Sequence, residues 1–211
     1  MGGGAQTLEM PKFKPILSFV LWLALFYGLL ITPWPGMKRT YAGYFQSLGN
    51  ILFARHDGPR RTRFQPLDNR DRAWPDNFDT AILIGNRYAL NDQGKPKVFL
   101  LAVDAWQMGW TPTAFLVALV LATPISWQRR LWSLLLSLLC VHSFILLTVG
   151  ISIWNESTRI SLVTLTPFWK AIANQVEDLA LDPVGPGFFA AALIWILVSF
   201  RRQDFTCLPP D

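Results

Sequence analysis

The chain has 211 residues, of which 52% are hydrophobic and only 16% charged, and its formal net charge is +5. A soluble domain usually carries about a quarter charged residues, so the composition favours an integral membrane protein. The basic residues lack the zinc-ligand spacing, recognition helix or aromatic interleaving typical of nucleic-acid binding, and we expect no nucleic-acid partner. Two cysteines, Cys140 and Cys207, provide no disulfide framework.

Four apolar segments are each predicted to cross a bilayer as a helix, since one crossing takes about 20 residues. They are residues 15–32, 110–126, 131–154 and 183–200. The predicted fold class is therefore a mainly α integral membrane protein, with four transmembrane helices and a small α+β extracytoplasmic cap.

Basic residues beside these segments predict the orientation, because cytoplasmic flanks are rich in Lys and Arg. They are Lys12, Lys14, Arg129, Arg130, Arg201 and Arg202. In a four-span protein all of them fall on one side. This predicts cytoplasmic tails at 1–14 and 201–211, a cytoplasmic turn at 127–130, and extracytoplasmic segments at 33–109 and 155–182, in a bacterial inner membrane.

Both extracytoplasmic segments contain patterns of regular structure. In "GMKRTYAGYFQSLGNILF" the apolar residues from Met37 to Leu52 recur every three or four positions, which predicts an amphipathic helix. "NFDTAILIGNRYAL" and "KVFLLAVDAW", joined by "NDQGKP", predict an antiparallel hairpin. In the second segment Thr166 and Pro167 predict the start of another amphipathic helix, since they fit an N-cap and a first helical position.

The stretch "RHDGPRRTRF" is a candidate for an anion or lipid-headgroup contact, although a solvated basic turn is the favoured interpretation. Its four arginines are Arg55, Arg60, Arg61 and Arg63. Four nearby carboxylates lack the spacing of a calcium loop and have arginines to pair with, so we predict a structural role and no metal site. These are Asp68, Asp71, Asp76 and Asp79.

Cys140 and His142 lie two residues apart in the third apolar segment. On a helix this spacing turns the side chains about 200° apart, so the two cannot act together as nucleophile and base. We predict no catalytic residue. His142 alone is a candidate cofactor-binding residue, because ionisable groups are costly inside a membrane. His142 is a candidate ligand of a haem or a chlorophyll-type pigment. The alternative is a hydrogen bond from His142 to a neighbouring helix. Bound lipids are a further candidate cofactor.

The leading hypothesis is a non-enzymatic accessory or assembly subunit that stabilises a larger membrane complex, respiratory or photosynthetic complexes being among the candidates. Its partners would be other integral membrane subunits and lipids. Apolar segments without internal charges and a structured cap favour this function. The alternative is a membrane-interface enzyme that uses Cys140 or His56 with a partner residue that the sequence does not identify.

Overall fold

The computed structural model describes residues 13–54, 60–68, 74–90, 93, 94, 96–159, 166–169, 171, 175 and 185–199. The elements in chain order are α1 (Phe13–Ile31), α2 (Met37–Phe53), β1 (Arg60–Pro66), β2 (Thr80–Leu90), β3 (Pro96–Val103), a π-helical turn (Trp106–Trp110), α3 (Thr111–Ala122), α4 (Trp127–Arg159) and α5 (Gly185–Ser199). Helices α1, α3, α4 and α5 form a bundle, and α2 packs on both β1 and the π-helical turn.

Helix α3 is the centre of the bundle and contacts α1, α4 and α5. Pro112 lies in its first turn, where the missing N–H is not needed. The helix ends before Pro124, which cannot continue it. Of its 12 residues eight are buried, so α3 is apolar on every side because protein surrounds it.

The prediction of four transmembrane helices, and with it a multi-pass protein, is wrong. Within the described ranges one helix, Trp127–Thr158, is long and apolar enough to cross a membrane. The other apolar helices, Pro15–Ile31, Trp106–Ala122 and Gly185–Ser199, are 10–17 residues long. Seventeen helical residues reach about 25 Å, short of the roughly 30 Å of a hydrocarbon core. The prediction of two cytoplasmic termini was derived from four crossings, and it stays a prediction.

Helix α4 is 33 residues long, about 50 Å at 1.5 Å per residue. A stripe of residues at every fourth position along it is buried against the rest of the protein. These positions are Ser133, Ser137, Val141, Ile145, Val149, Ile153 and Ser157. The helix that was predicted to begin at Thr166 falls mostly on residues 170, 172–174 and 176–182, which lie outside the described residues.

The three strands form an antiparallel sheet in the order β1-β2-β3. Side chains alternate between its two faces. Phe64, Ile82 and Leu101 are register partners on the face that meets the core. Arg61 and Arg63 lie on the opposite, outer face, where both are exposed.

Helix α2 lies over the core face of the sheet. It begins after Gly36, whose φ of 81° favours glycine, and it buries Ala42, Phe45 and Gly49. Gly49 is in close contact with the Phe64 ring, because a Cβ added there would lie 2.5 Å from Cδ1 of Phe64. The core is continuous from this layer into the bundle, through Val141, Ile145 and Val149 of α4.

Candidate functional site in the cleft between α2 and α4

His142 faces helix α2. Its Nδ1 lies 2.9 Å from the carbonyl oxygen of Leu138, one turn earlier in α4. A carbonyl only accepts, so Nδ1 donates, and a neutral ring keeps its lone pair on Nε2. The imidazole also meets the Tyr44 ring edge to face, with centroids 6.2 Å apart. The amphipathic helix α2 is therefore the element that packs against the third apolar segment at His142.

His142 lines a cleft between α2, α4 and the sheet, called here the His142 cleft. Its walls are Tyr41, Tyr44, Phe45, Leu48, Gly49, Phe53, Phe64, His142, Ile145, Leu146 and Val149. The cavity volume is about 10 Å³, roughly what one water molecule needs. A haem or chlorin macrocycle does not fit in a cavity of this size. The role of His142 as a pigment or haem ligand stays a prediction.

Cys140 is half-buried and carries a free thiol. The His142 cleft is lined by His142 and not by Cys140, as their two-residue spacing on α4 requires. The structure therefore does not bring the thiol and the imidazole to one site. His56, the other histidine of the enzyme hypothesis, lies outside the described residues.

An aromatic cluster beside the cleft holds α2 on the bundle. The Tyr41 ring packs edge to face on Trp110, with centroids 5.6 Å apart, and on Trp106 at 6.5 Å. Gly109 contacts Tyr41 so closely that a Cβ there would collide with the phenol oxygen. Burial raises the pKa of Tyr41, so the phenol stays protonated. Trp110 in turn donates from Nε1 to the Leu30 carbonyl at 3.0 Å, which connects α1 to the same cluster.

Two aspartates fix the junction between the sheet and the π-helical turn. Asp79 Oδ1 accepts from the Thr80 hydroxyl at 2.8 Å and from the Ala105 N–H at 3.1 Å. Asp104 accepts from the Gln107 N–H at 2.9 Å, as a residue that caps a helix start does. The sequence motifs described above assign no role to Asp104. Its signal in the sequence is an aspartate just before the apolar run that starts at Trp106, which is the position of a helix N-cap.

The predicted arginine set is divided by the structure. Arg61 and Arg63 lie together on the exposed outer face of the sheet. The register pairs Arg60 with Asn86, and the side chain of Arg60 is not among those described. Arg55 lies outside the described residues. A contact with anions or lipid headgroups stays a prediction for this set.

The described part of the chain contains no group of three or more His, Cys, Asp or Glu residues that could hold a metal ion. The chain matches no protein-family model, and comparisons with curated proteins and with solved structures find nothing similar to it.

Proposed function

We propose that the chain is a non-enzymatic accessory subunit that enters a membrane through α4 and stabilises a larger membrane complex. One observation carries the proposal: only 22% of the apolar window of α4 is buried inside the protein. A core helix of a soluble protein would be mostly buried. The exposed side of α4 needs an apolar environment outside this chain, which a bilayer or a partner helix supplies.

The exposed side of α4 has the composition of a surface that faces lipid or apolar helices. Its large exposed side chains are Trp127, Leu131, Trp132, Leu135, Leu136, Leu139, Leu147 and Trp154. Trp132 and Trp154 are separated by about 33 Å along the helix axis, close to the roughly 30 Å of a hydrocarbon core. Tryptophans gather at the two membrane–water interfaces, so these two fit the opposite edges of a bilayer.

A role in an assembly is supported by the shorter helices beside α4. Helices α1 and α5 also expose large apolar side chains, among them Leu21 at 62%, Phe189 at 75% and Leu197 at 78% exposure. Within the part of the chain that the structure describes, neither helix passes as a membrane span by length and composition. Partner helices that pack on these faces would bury them, and packing of apolar helices is how membrane subunits associate.

A photo-crosslinking scan along α4 tests the proposal in native membranes. A crosslinking amino acid at Leu136, Leu139 or Leu147 should give one discrete protein adduct. The same amino acid at Ile51, which is 78% exposed on α2, is the matched control and should not give that adduct. The adduct should also survive purification in mild detergent as a complex of fixed composition. A solitary, monodisperse protein without an α4 adduct would contradict the accessory role.

A further inference from the structure

The sheet has one face that meets the core and one that is exposed. Phe64, Ile82 and Leu101 are on the core face. An antiparallel sheet that is solvated on one face normally alternates apolar and polar residues along each strand. Strand β3 instead contains the unbroken apolar run "VFLLAV" from Val98 to Val103, a pattern typical of a strand that is covered on both faces. The exposed face of the sheet therefore has the composition of a surface that another molecule covers.

The exposed face combines apolar side chains with two arginines. This surface, called here the outer sheet face, is formed by Arg61, Arg63, Leu83, Gly85, Leu90 and Val98. The register places Arg61, Gly85 and Val98 in one row across the three strands. Val98 is 60% exposed, and Leu90, the register partner of Pro96, is 56% exposed. Both arginines are exposed as well. An exposed apolar surface beside charged groups marks a place of contact with another molecule.

Gly85 leaves an open space in the middle of the outer sheet face. It lies in the central strand, where a glycine adds no packing and weakens the strand. Its φ is not in the left-handed region that favours glycine. A Cβ added at this position would lie 3.8 Å from Cγ2 of Val98 and 3.9 Å from Cβ of Arg61, both ordinary van der Waals distances. The fold itself therefore does not require a glycine here. A glycine inside a strand often marks the close approach of another backbone.

Arg61 and Arg63 determine the charge that complements this face. They lie two positions apart on β1 and on the same side of it, so their Cα atoms are about 7 Å apart. Carboxylates at alternate positions of an extended segment have the same spacing, and a guanidinium pairs with a carboxylate through two parallel hydrogen bonds. A phospholipid supplies one phosphate rather than two anions at this spacing. The same face of a second copy would bring like charges together, which is unfavourable.

We propose that the outer sheet face binds an extended acidic segment of a partner protein. The carboxylates of this segment pair with Arg61 and Arg63, its backbone lies over Gly85, and its apolar side chains cover Val98 and Leu90. This binding deepens the proposed function, because it names a surface that a partner subunit contacts. It rests on the accessory role of the chain and does not depend on where α4 lies relative to a membrane.

A photo-crosslinking amino acid at Leu90 in the full chain tests the proposal in native membranes. Leu90 is the last residue of β2, so Arg61, Gly85 and Val98 stay intact. We expect one protein adduct, and mass spectrometry of the crosslinked peptide should show Asp or Glu at alternate positions beside the attachment point. Arg61→Gln with Arg63→Gln should lower the adduct yield roughly tenfold, since each ion pair at an exposed surface contributes about a factor of three.

Two further variants separate the contact from general charge and from folding. Lys38→Gln with Arg39→Gln removes the same charge from exposed positions at the start of α2, and the yield should stay within about twofold. In Gly85→Val the new side chain occupies the space of the partner backbone, so the yield should fall about tenfold. The thermal midpoint should hold or rise, because valine favours strands and its Cβ fits. A full yield in Gly85→Val would overturn the proposal.

The nature of the adduct decides between the possible occupants of the outer sheet face. A lipid adduct, an adduct to a second copy of this chain, a crosslinked peptide without Asp or Glu, or no adduct at all would each overturn the proposal. The crosslinking scan along α4 reports on a different surface. An acidic adduct from Leu90 without one from α4 would support the outer sheet face and contradict membrane entry through α4. The reverse result would overturn the outer sheet face and leave the proposed function standing.

Discussion

The side-chain amide of Asn50 pairs with both backbone polar groups of Phe64. Its Nδ2 donates to the Phe64 carbonyl at 2.8 Å, and its Oδ1 accepts from the Phe64 N–H at 2.8 Å. Strand β1 is at the edge of the sheet, where such groups would otherwise be open to pairing with another chain. Helix α2 thus closes this edge at Phe64 with a single side chain, and it also covers the core face of the sheet.

Asn50→Ala should destabilise the protein by about 1–3 kcal/mol, because it leaves an N–H and a carbonyl of Phe64 without their partner in a part-buried place. The free energy of unfolding from a denaturant titration in detergent micelles measures the change. Ser47→Ala is the control on the same helix. Its hydroxyl bonds the Gly43 carbonyl and is exposed, so the loss should stay under about 0.5 kcal/mol. Equal losses in the two variants would contradict the edge-capping role.

Gly49→Ala and Gly43→Ala should change the stability in opposite directions. A Cβ at position 49 would lie 2.5 Å from the Phe64 ring, whereas nothing lies within 4 Å of a Cβ at position 43. Overpacking costs about 1–3 kcal/mol. Alanine in a helix is favoured over glycine by about 1 kcal/mol. Thermal midpoints of the two variants, compared with the wild-type protein, test this pair, and a rise at position 49 would contradict the close approach of α2 to the sheet.

Local patterns in the sequence place several elements well. The three- and four-residue spacing of apolar side chains predicts a helix from Met37, and α2 is Met37–Phe53. The β-branched runs on either side of "NDQGKP" predict an antiparallel hairpin, and β2 pairs with β3 antiparallel. Both signals come from neighbouring residues, so they do not depend on how the rest of the chain folds.

Features that depend on contacts between distant elements are not visible in the sequence. Trp106–Ala122 is as apolar as a membrane span, yet α3 is apolar because α1, α4 and α5 surround it. Hydropathy does not separate these two cases for α3. It also does not give the length of a helix, and length is what the three apolar helices other than α4 lack as spans. For the same reason the sequence points to His142 but not to Tyr44, whose ring it contacts, because the two residues are separated by 97 others and meet only in the folded chain.

His142→Phe should leave the visible absorption spectrum of the purified complex unchanged, because the His142 cleft has room for about one water and no macrocycle. The variant keeps an aromatic ring beside Tyr44 and loses the bond to Leu138, so the stability should fall by about 1 kcal/mol. The spectrum and the unfolding free energy are measured on the same sample. A haem or chlorin band present in the wild-type protein and absent in the variant would instead assign His142 as its ligand.

The free energy of unfolding should fall as the pH rises through the acid range, because the Asp79 carboxyl ionises in a buried place. Burial raises the pKa of its carboxyl above 3.8, and Asp104 adds to this. Bonds from Thr80 and Ala105 and the charge of Lys38 oppose the rise. The folded state therefore keeps this proton to a higher pH than the unfolded chain does. The resulting penalty is absent below the unfolded pKa, grows between the two pKa values and is complete above the folded one.

Asp79→Asn should remove this penalty, since an amide oxygen still accepts from Thr80 and Ala105 but does not ionise. The thermal midpoint of the variant minus that of the wild-type protein should rise between about pH 3 and about pH 7. Lys38→Gln removes a charge that lowers the pKa of Asp79, so it should extend the decline of the wild-type midpoint to higher pH. A difference between Asp79→Asn and wild type that stays flat or falls with pH would show that burial does not raise the Asp79 pKa.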